Sequence, residues 1–288
     1  MSETLPMPVT ALSAAQQTSL VNLVRRAAKT EILPRFRNLA AHQIDTKSGP
    51  HDLVTEADTA AEAMIARGIL RQFPNAVVIG EEAAAKDPSL RQKAAQAELA
   101  FIIDPVDGTW NFARGVPLFG VILAATRFGR PVFGLLYDPI VDDWVIADDQ
   151  SPTRIAGAGR AERPTHVSQG GALDTLSGLM HFYLMPKDAQ ARMAPVLPEF
   201  LRTSSMRCSC HEYRTMAQGN ADFCLSGVLN PWDHAAGVLL CQQAGGVAQM
   251  LDGQPYDISI EEGYLLCAPD QATWDRLRDV LSVLTPPA

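Results

Sequence analysis

The chain lacks most of the features that would place it at a glance. Its 24 Lys and Arg are outnumbered by 32 Asp and Glu, for a net charge of −8. Binding along a nucleic-acid backbone needs clustered cations, so no nucleic-acid partner is expected. No run approaches the ~20 apolar residues of a membrane-spanning helix, so no membrane partner is expected either. The five cysteines are odd in number and show no disulfide-framework spacing. Reduced thiols and a cytoplasmic location follow as expectations. Met1–Thr10 has no basic start and no long apolar core, so it does not read as a secretion signal. G-x-x-x-x-G-K-[ST], G-x-G-x-x-G and G-x-S-x-G are all missing, which weakens NTPase, dinucleotide and serine-nucleophile readings. Cys208-Ser209-Cys210-His211 resembles half a zinc site, but no second Cys/His pair stands at matching spacing. There is no internal repeat and no long low-complexity tract.

What is present is 288 residues, 47% of them hydrophobic, ample for one large or two modest cores. Helical periodicity runs from Ser13 to about Ala41, with Ser13 and Gln16 as a capping box and Pro34 as a possible kink. Lys47–Leu53 reads as a Gly-Pro loop. Thr55 starts a second helix that ends at Phe73-Pro74. Val77–Gly80 reads as a short strand, Glu81–Gln96 as a helix with an exposed loop, and Leu99–Ile103 as a buried strand. Strands at 118–128, 132–137 and 144–147 are separated by turn chemistry. Asp148–Gly171 is rich in Gly, Pro, Ser and charge and marks a boundary near residue 150. Beyond it, helices are expected at 187–200, 211–219, 234–244 and 269–284, and strands at 222–225, 247–250 and 264–267. The expected plan is an α+β half (1–150) followed by an α/β half (151–288).

The most informative stretch is Phe101-Ile102-Ile103-Asp104-Pro105-Val106-Asp107-Gly108-Thr109-Trp110. An apolar strand ends in two aspartates, a proline stiffens the turn, and a glycine lets backbone approach a ligand. Two carboxylates beside free backbone N–H groups can hold hard cations and a phosphate together. Two more acids stand at element ends, Glu81 after its strand and Asp233 just before a helix. Each has a plain reading as a helix-start charge or an N-cap, and Glu82 beside Glu81 is expected to face solvent. If these carboxylates converge, mutual repulsion destabilises the fold unless cations neutralise them. All-oxygen donors select Mg²⁺, with Mn²⁺ a fair substitute. Asp104 is placed to bridge two ions ~3.5–4 Å apart, and the Val106 carbonyl is a further donor. Gly108 and Thr109 supply a phosphate site at the start of a helix near Trp110. Thr55 with Asp58 fits a capping arrangement, while the functional reading pairs Asp58 with Thr109 to activate water. Lys47 either screens the acidic cluster or is surface.

Asp58, Gly80-Glu81-Glu82, Asp104-Pro105-Val106-Asp107-Gly108-Thr109 and Trp232-Asp233-His234-Ala235-Ala236-Gly237 together resemble the inositol monophosphatase family of Mg²⁺-dependent, lithium-sensitive phosphatases, over about residues 20–270. The resemblance implies a layered αβαβα sandwich of the sugar-phosphatase type and a homodimer. It implies metal ligation by Glu81, Asp104, the Val106 carbonyl, Asp107 and Asp233, with two or three Mg²⁺ ions. It also implies catalytic roles for Asp58, Thr109 and Glu81, with Lys47 at the cluster's edge. Asp107, Arg207, Cys208, Ser209, Ser226 and Asp233 face the substrate by the same comparison. Two positions depart from the pattern. Ser226 stands seven residues before Asp233, where inositol-specific members carry an acid, and Arg207 falls where glycine is common. Losing that carboxylate removes a charge-assisted hydrogen bond of roughly 1.5–3 kcal/mol. The expected activity is therefore hydrolysis of a small phosphorylated polyol such as inositol 1-phosphate. Histidinol phosphate, a sugar phosphate or a 3′-phosphonucleotide are alternatives, and a non-catalytic metal-dependent binding module is a third reading.

Overall fold

The computed structural model describes residues 12–39, 44–49 and 52–285; Met1–Thr10 and residues 40–41 of the expected first helix lie outside them. Helix α1 (Ala14–Ala27) opens on the expected capping box, with Ser13 and Gln16 exchanging backbone and side-chain hydrogen bonds. It passes through a π-helical turn at Ala28–Ile32 into a 3₁₀ turn at Leu33–Arg35. Pro34 thus sits where the helix ends, since it cannot supply an intrahelical N–H. Strands β1 (Ile44–Gly49) and β2 (Asp52–Thr55) pair antiparallel. Residues 47–49 and 52–53 of the loop expected over Lys47–Leu53 are therefore strand, and Pro50 and His51 lie outside the described residues. Helix α2 (Glu56–Gln72) starts on the Thr55–Asp58 capping box and stops at Phe73, as expected.

A seven-stranded sheet follows. It runs in order through β3 (Val77–Gly80), β4 (Ala100–Asp107), β5 (Gly120–Arg127), β6 (Arg130–Asp138), β7 (Asp143–Asp148), β8 (Ser151–Gly157) and β9 (Arg160–Pro164). Only the β3–β4 pair is parallel. The sheet continues past residue 150, so the Gly- and charge-rich stretch after Asp148 supplies two more strands. Between β3 and β4 lie two short helices, α3 (Glu81–Lys86) and α4 (Ser89–Gln96). The single turn α5 (Thr109–Ala113) follows β4.

The second sheet is five-stranded and mixed. Its elements in chain order are β10 (Ser177–Met180), α6 (Lys187–Met193), β11 (Arg202–Ser204), α7 (Ser209–Ala217), β12 (Phe223–Ser226), α8 (Pro231–Gln243), β13 (Val247–Met250), β14 (Leu265–Ala268) and α9 (Gln271–Leu281). The strand order is β11-β10-β12-β14-β13.

Period-two alternation in the strands builds the layers. Phe101 and Ile103 of β4 pack with α1 and α2 residues such as Leu20, Val24, Ile65 and Ile69. Ile102, between them, faces the opposite side with Tyr213 and Met216 of α7 and Val238 and Leu240 of α8. Cys224, Leu265 and Cys267 of the second sheet close the same core. Its other face, with Phe223, Leu225 and Leu266, packs on Met193 of α6 and on Trp274 and Leu277 of α9. The result is the expected αβαβα sandwich. Helices α7 and α8 are sealed between the two sheets, and both begin at the same end as the Asp104–Asp107 turn.

Candidate active site

Strand β4 does not stop at Ile103. It runs on to Asp107, and its register with β5 slips between Asp104 and Asp107. The slip is a bulge over Asp-Pro-Val, where proline cannot donate to the ladder. It brings to one spot two carboxylates that regular alternation, three residues apart, would place on opposite faces. Asp104 Oδ1 accepts the Val106 N–H at 3.1 Å, which fixes the turn. Gly108 then adopts φ +86°, and a Cβ there would come within 3.0 Å of the Leu118 carbonyl, so glycine is required. Gly108, not Thr109, is the residue that caps α5; Thr109 is its first residue.

Freed from capping, the Thr109 hydroxyl lies 2.9 Å from the Val106 carbonyl and 3.2 Å from Asp58 Oδ1. The other Asp58 oxygen accepts the Thr55 N–H at 2.9 Å and its hydroxyl at 2.6 Å. The capping reading and the functional reading of Asp58 therefore hold together, one on each oxygen. Asp233 is likewise not the N-cap of α8. Asn230 holds that place and donates to Asp233 Oδ2 at 3.1 Å, while Pro231 fills the first turn.

The three acids meet. Ligand oxygens of Asp104, Asp107 and Asp233 all lie within 4.8 Å of one another. Asp104 and Asp107 are buried. Glu81, the first residue of α3, lines the same cleft. Burial, followed by the charges of Glu81, Asp107 and Asp233, pushes the Asp104 carboxyl well above the usual carboxylate range. Burial and the Asp233 charge raise Asp107 to about 7, although donors from Cys210 and Cys208 pull the other way. Burial raises Asp233 too. Carboxylates held this close in a dry site resist ionising together. A hard divalent cation relieves that conflict, and an all-oxygen donor set is the kind it prefers. The residues present fit such an ion.

The cleft holds about 560 Å³. Gly108, Thr109, Arg207, Cys208, Ser209 and Ser226 line it together with Glu81, Asp104, Asp107 and Asp233. Cys208 and Cys210 have a role unlike the zinc half-site they suggested. The Cys208 thiol lies 3.1 Å from Asp107 Oδ2, and the Cys210 backbone N–H donates to the same oxygen. All five cysteines are free and buried. The Ser226 hydroxyl donates to the Val228 carbonyl at 3.1 Å. His234 is a buried bridge between the Tyr213 hydroxyl and that same carbonyl, and burial lowers its basicity. Lys47 lies on β1, and its side chain falls outside the described part of the molecule.

Several contributors escaped the sequence. Glu82 is buried rather than solvent-facing. Glu62 on α2 accepts the Glu82 and Ala83 N–H groups at 2.8 and 3.0 Å and so anchors the helix that carries Glu81. Its spacing with Asp58, Ile65 and Ile69 on one helix face was a usable signal. His181 lines the cleft and pairs with buried Glu212 at 3.1 Å. Burial works to lower the His181 pKa, but the Glu212 carboxylate outweighs it and the net shift is upward. Nothing in the spacing of residues 181 and 212 announces that pair.

Comparison with known proteins identifies the family. The model of the inositol monophosphatase family matches residues 14–282. A histidinol-phosphatase from Streptomyces coelicolor is 31% identical over 247 residues, covering 82% of this chain and 87% of that protein. An inositol-1-monophosphatase from Synechocystis is 31% identical over 224 residues, covering 75% and 73%. The structure of a Thermotoga maritima IMPase superposes with a TM-score of 0.77 at 21% identity, covering 94% of this chain and 97% of that one. With a match across nearly its whole length and phosphatases among its relatives, the chain is a phosphoric monoester hydrolase and belongs to the inositol monophosphatase family.

Proposed function

We propose that the protein is a Mg²⁺-dependent phosphomonoesterase that hydrolyses a small phosphorylated polyol by direct attack of water. The observation that carries this reading is the convergence of Asp104, Asp107 and Asp233 within 4.8 Å, beside an Asp58–Thr109 hydrogen bond. Glu81, Asp104, Asp107, Asp233 and the Val106 carbonyl would hold the ions. When bound, Mg²⁺ supplies charge neutralisation and Lewis acidity at phosphate and water.

The chain's own residues do the rest. Asp58 is buried, and Thr55 fixes the orientation of its carboxylate. Its Oδ1 lies 3.2 Å from the Thr109 hydroxyl, so a proton drawn from water by Thr109 has an acceptor one hydrogen bond away. Gly108 and Thr109 offer backbone N–H groups to phosphate oxygens where the strand turns into α5. The cleft draws carboxylates from both halves of the chain, with Asp107 tied to Cys208 and Cys210 across them.

The leaving group has two readings. Inositol 1-phosphate is the reference substrate, and the histidinol-phosphatase relative supports a second reading with the same chemistry on a different alcohol. The substitution of serine at 226 favours weak grip on inositol hydroxyls. A phosphate-release screen over inositol 1-phosphate, histidinol phosphate, a hexose phosphate and a 3′-phosphonucleotide, with and without Mg²⁺, tests the proposal. Mg²⁺-dependent release from at least one ester is expected. Metal-bound protein inert on all of them would overturn it in favour of a binding module.

A further inference from the structure

Glu81 and Asp233 come to the cleft from opposite halves of the chain, one at the start of α3 and the other in the first turn of α8. The Arg91 side chain joins the segments that carry them. Arg91 stands on α4, the helix that follows α3. Hydrogen bonds across the turn between them hold the two helices as one unit. The Asp87 N–H donates to the Ala83 carbonyl at 2.9 Å, the Leu90 N–H to the Asp87 carbonyl at 3.1 Å, and the Arg91 N–H to the Pro88 carbonyl at 3.2 Å. From this unit the guanidinium crosses to the other half. Its Nη2 donates to the carbonyls of Leu229 and Ile260, each at 2.6 Å, and its Nε to the Ile258 carbonyl at 3.2 Å.

Leu229 adjoins Asn230, which opens α8 and donates to Asp233 Oδ2 at 3.1 Å. Two successive carbonyls of this loop are thus gripped from different sides. Val228 accepts from Ser226 at 3.1 Å and His234 at 2.6 Å, within its own half, and Leu229 accepts from Arg91 across the halves. Leu90 and Ile260 pack on the core between the sheets, which gives the crossing an apolar backing. Glu261 approaches Arg91 at 3.5 Å, but its side chain is 67% exposed, and an exposed ion pair adds little. The short bonds go to neutral carbonyls of two loops. A planar fork of N–H donors fixes both the distance and the orientation of such groups, which a point charge does less well.

We propose that Arg91 is a positioning residue: by tying the α3–α4 unit to the loop before α8, it sets the separation of Glu81 and Asp233 and thereby the affinity of the site for Mg²⁺. The proposal rests on the metal-dependent reading above. Arg91 stands outside the lining of the cleft, so its effect belongs to cation binding and not to the choice of ester.

The test uses the full chain and two readouts. The melting temperature titrated against Mg²⁺, without substrate, gives a dissociation constant. Phosphate release titrated against Mg²⁺ gives the midpoint of activity. Arg91→Met keeps the aliphatic stem and removes every donor. Loss of a group bonded directly to a metal ligand typically costs 10–100-fold in affinity, and Arg91 acts one residue further out, so both Mg²⁺ values should rise roughly three- to tenfold. The limiting kcat and the ratio of kcat/KM between two esters should stay within about twofold of wild type. Arg91→Lys should fall between wild type and Arg91→Met, and it carries the test if Arg91→Met fails to fold. Arg192→Met is the control. Arg192 Nε donates to the Val283 carbonyl at 2.7 Å in the outer layer around α6, so its loss should lower the melting temperature and leave the Mg²⁺ values unchanged. An Arg91→Met variant, or Arg91→Lys in its place, that melts earlier but takes up Mg²⁺ as wild type does overturns the proposal and leaves the phosphatase reading intact. So does an Arg192→Met variant that weakens Mg²⁺ equally, since general loosening would then suffice. A wild type indifferent to Mg²⁺ in both readouts overturns the metal-dependent reading and this one with it.

Discussion

Two clusters built around aspartate handle negative charge in opposite ways. Asp142, in the turn between β6 and β7, receives Arg25 through two hydrogen bonds of 2.7 Å, Lys29 at 3.1 Å and the Tyr137 hydroxyl at 2.9 Å. The hydrogen bond from Arg25 leads in holding its carboxyl well below the usual range. In the cleft, Asp104 and Asp107 are buried beside further acids and are pushed upward, Asp107 to about 7. The first cluster resolves its charge with side chains of the chain itself and gains stability from doing so. The second leaves negative charge unresolved in a dry place, which folding alone disfavours. A carboxylate cluster of that kind makes physical sense as half of an interaction completed from outside.

The contrast breaks most sharply under matched substitutions. Asp104→Asn should lower kcat/KM by roughly a thousandfold or more, since it removes both a donor and charge from the proposed ion site. Its metal-free melting temperature should hold or rise, because one member of a repelling set is gone. Calorimetry without Mg²⁺, alongside phosphate release with it, checks both halves. Retention of most turnover would show that the acidic cluster is not the ion site. Asp142→Asn should do the reverse: activity near wild type, and a loss of about 1 kcal/mol after allowing for solvent screening. For a chain of this size that is about 2–4 °C in melting temperature.

Proton linkage separates the clusters by sign. Asp107 titrates higher in the folded chain, about 7, than in the unfolded one, about 4. The folded state therefore holds the extra proton, and metal-free stability should fall as pH rises from about 4 through about 7. Asp142 is depressed on folding, so its contribution is present above about pH 4 and is lost as pH drops below that. His181 is raised on folding and slopes with Asp107, so the diagnostic is the cation. The rise in melting temperature produced by Mg²⁺ should grow between about pH 4 and pH 7, as protons stop competing for the oxygens. A Mg²⁺ effect independent of pH over that window would mean that ions bind elsewhere.

The legible part of this molecule was the part whose signals are local. The strand, proline and glycine around Asp104–Thr109 announce a sharp turn whatever the rest of the chain does. The Thr55–Asp58 capping box is a four-residue pattern. Misreadings arose where a local signal had two outcomes. Residues 47–49 read as loop until pairing with Asp52–Thr55 makes them strand, and Asp233 reads as an N-cap until Asn230 is seen to hold that place. Glu82 looked solvent-facing because its burial depends on a packing neighbour rather than on its own helix. The His181–Glu212 pair and the hydrogen bond from Asn111 to the Arg207 carbonyl join residues 31 and 96 positions apart. Such contacts are set by the stacking of layers and leave no trace in spacing.

Glu62 lies between the two regimes and gives the finest test of the comparison. It is a buried carboxylate, like those of the cleft, but its partners are the backbone N–H groups of Glu82 and Ala83. A carboxylate at the start of a helix also meets the positive end of its dipole. Glu62→Gln keeps the shape and one acceptor but gives up the charge, so the anchor of α3 should weaken by about 1 kcal/mol or less. Glu81 opens that helix, and it is the position of its carboxylate, not its identity, that changes. The Mg²⁺ concentration for half-maximal activity should rise a few-fold, corresponding to the same energy. The limiting kcat at saturating Mg²⁺ should stay close to wild type. Titrating activity against Mg²⁺ in both proteins decides the matter. An unchanged midpoint would mean that Glu62 is held for packing alone and that Glu81 finds its place without it.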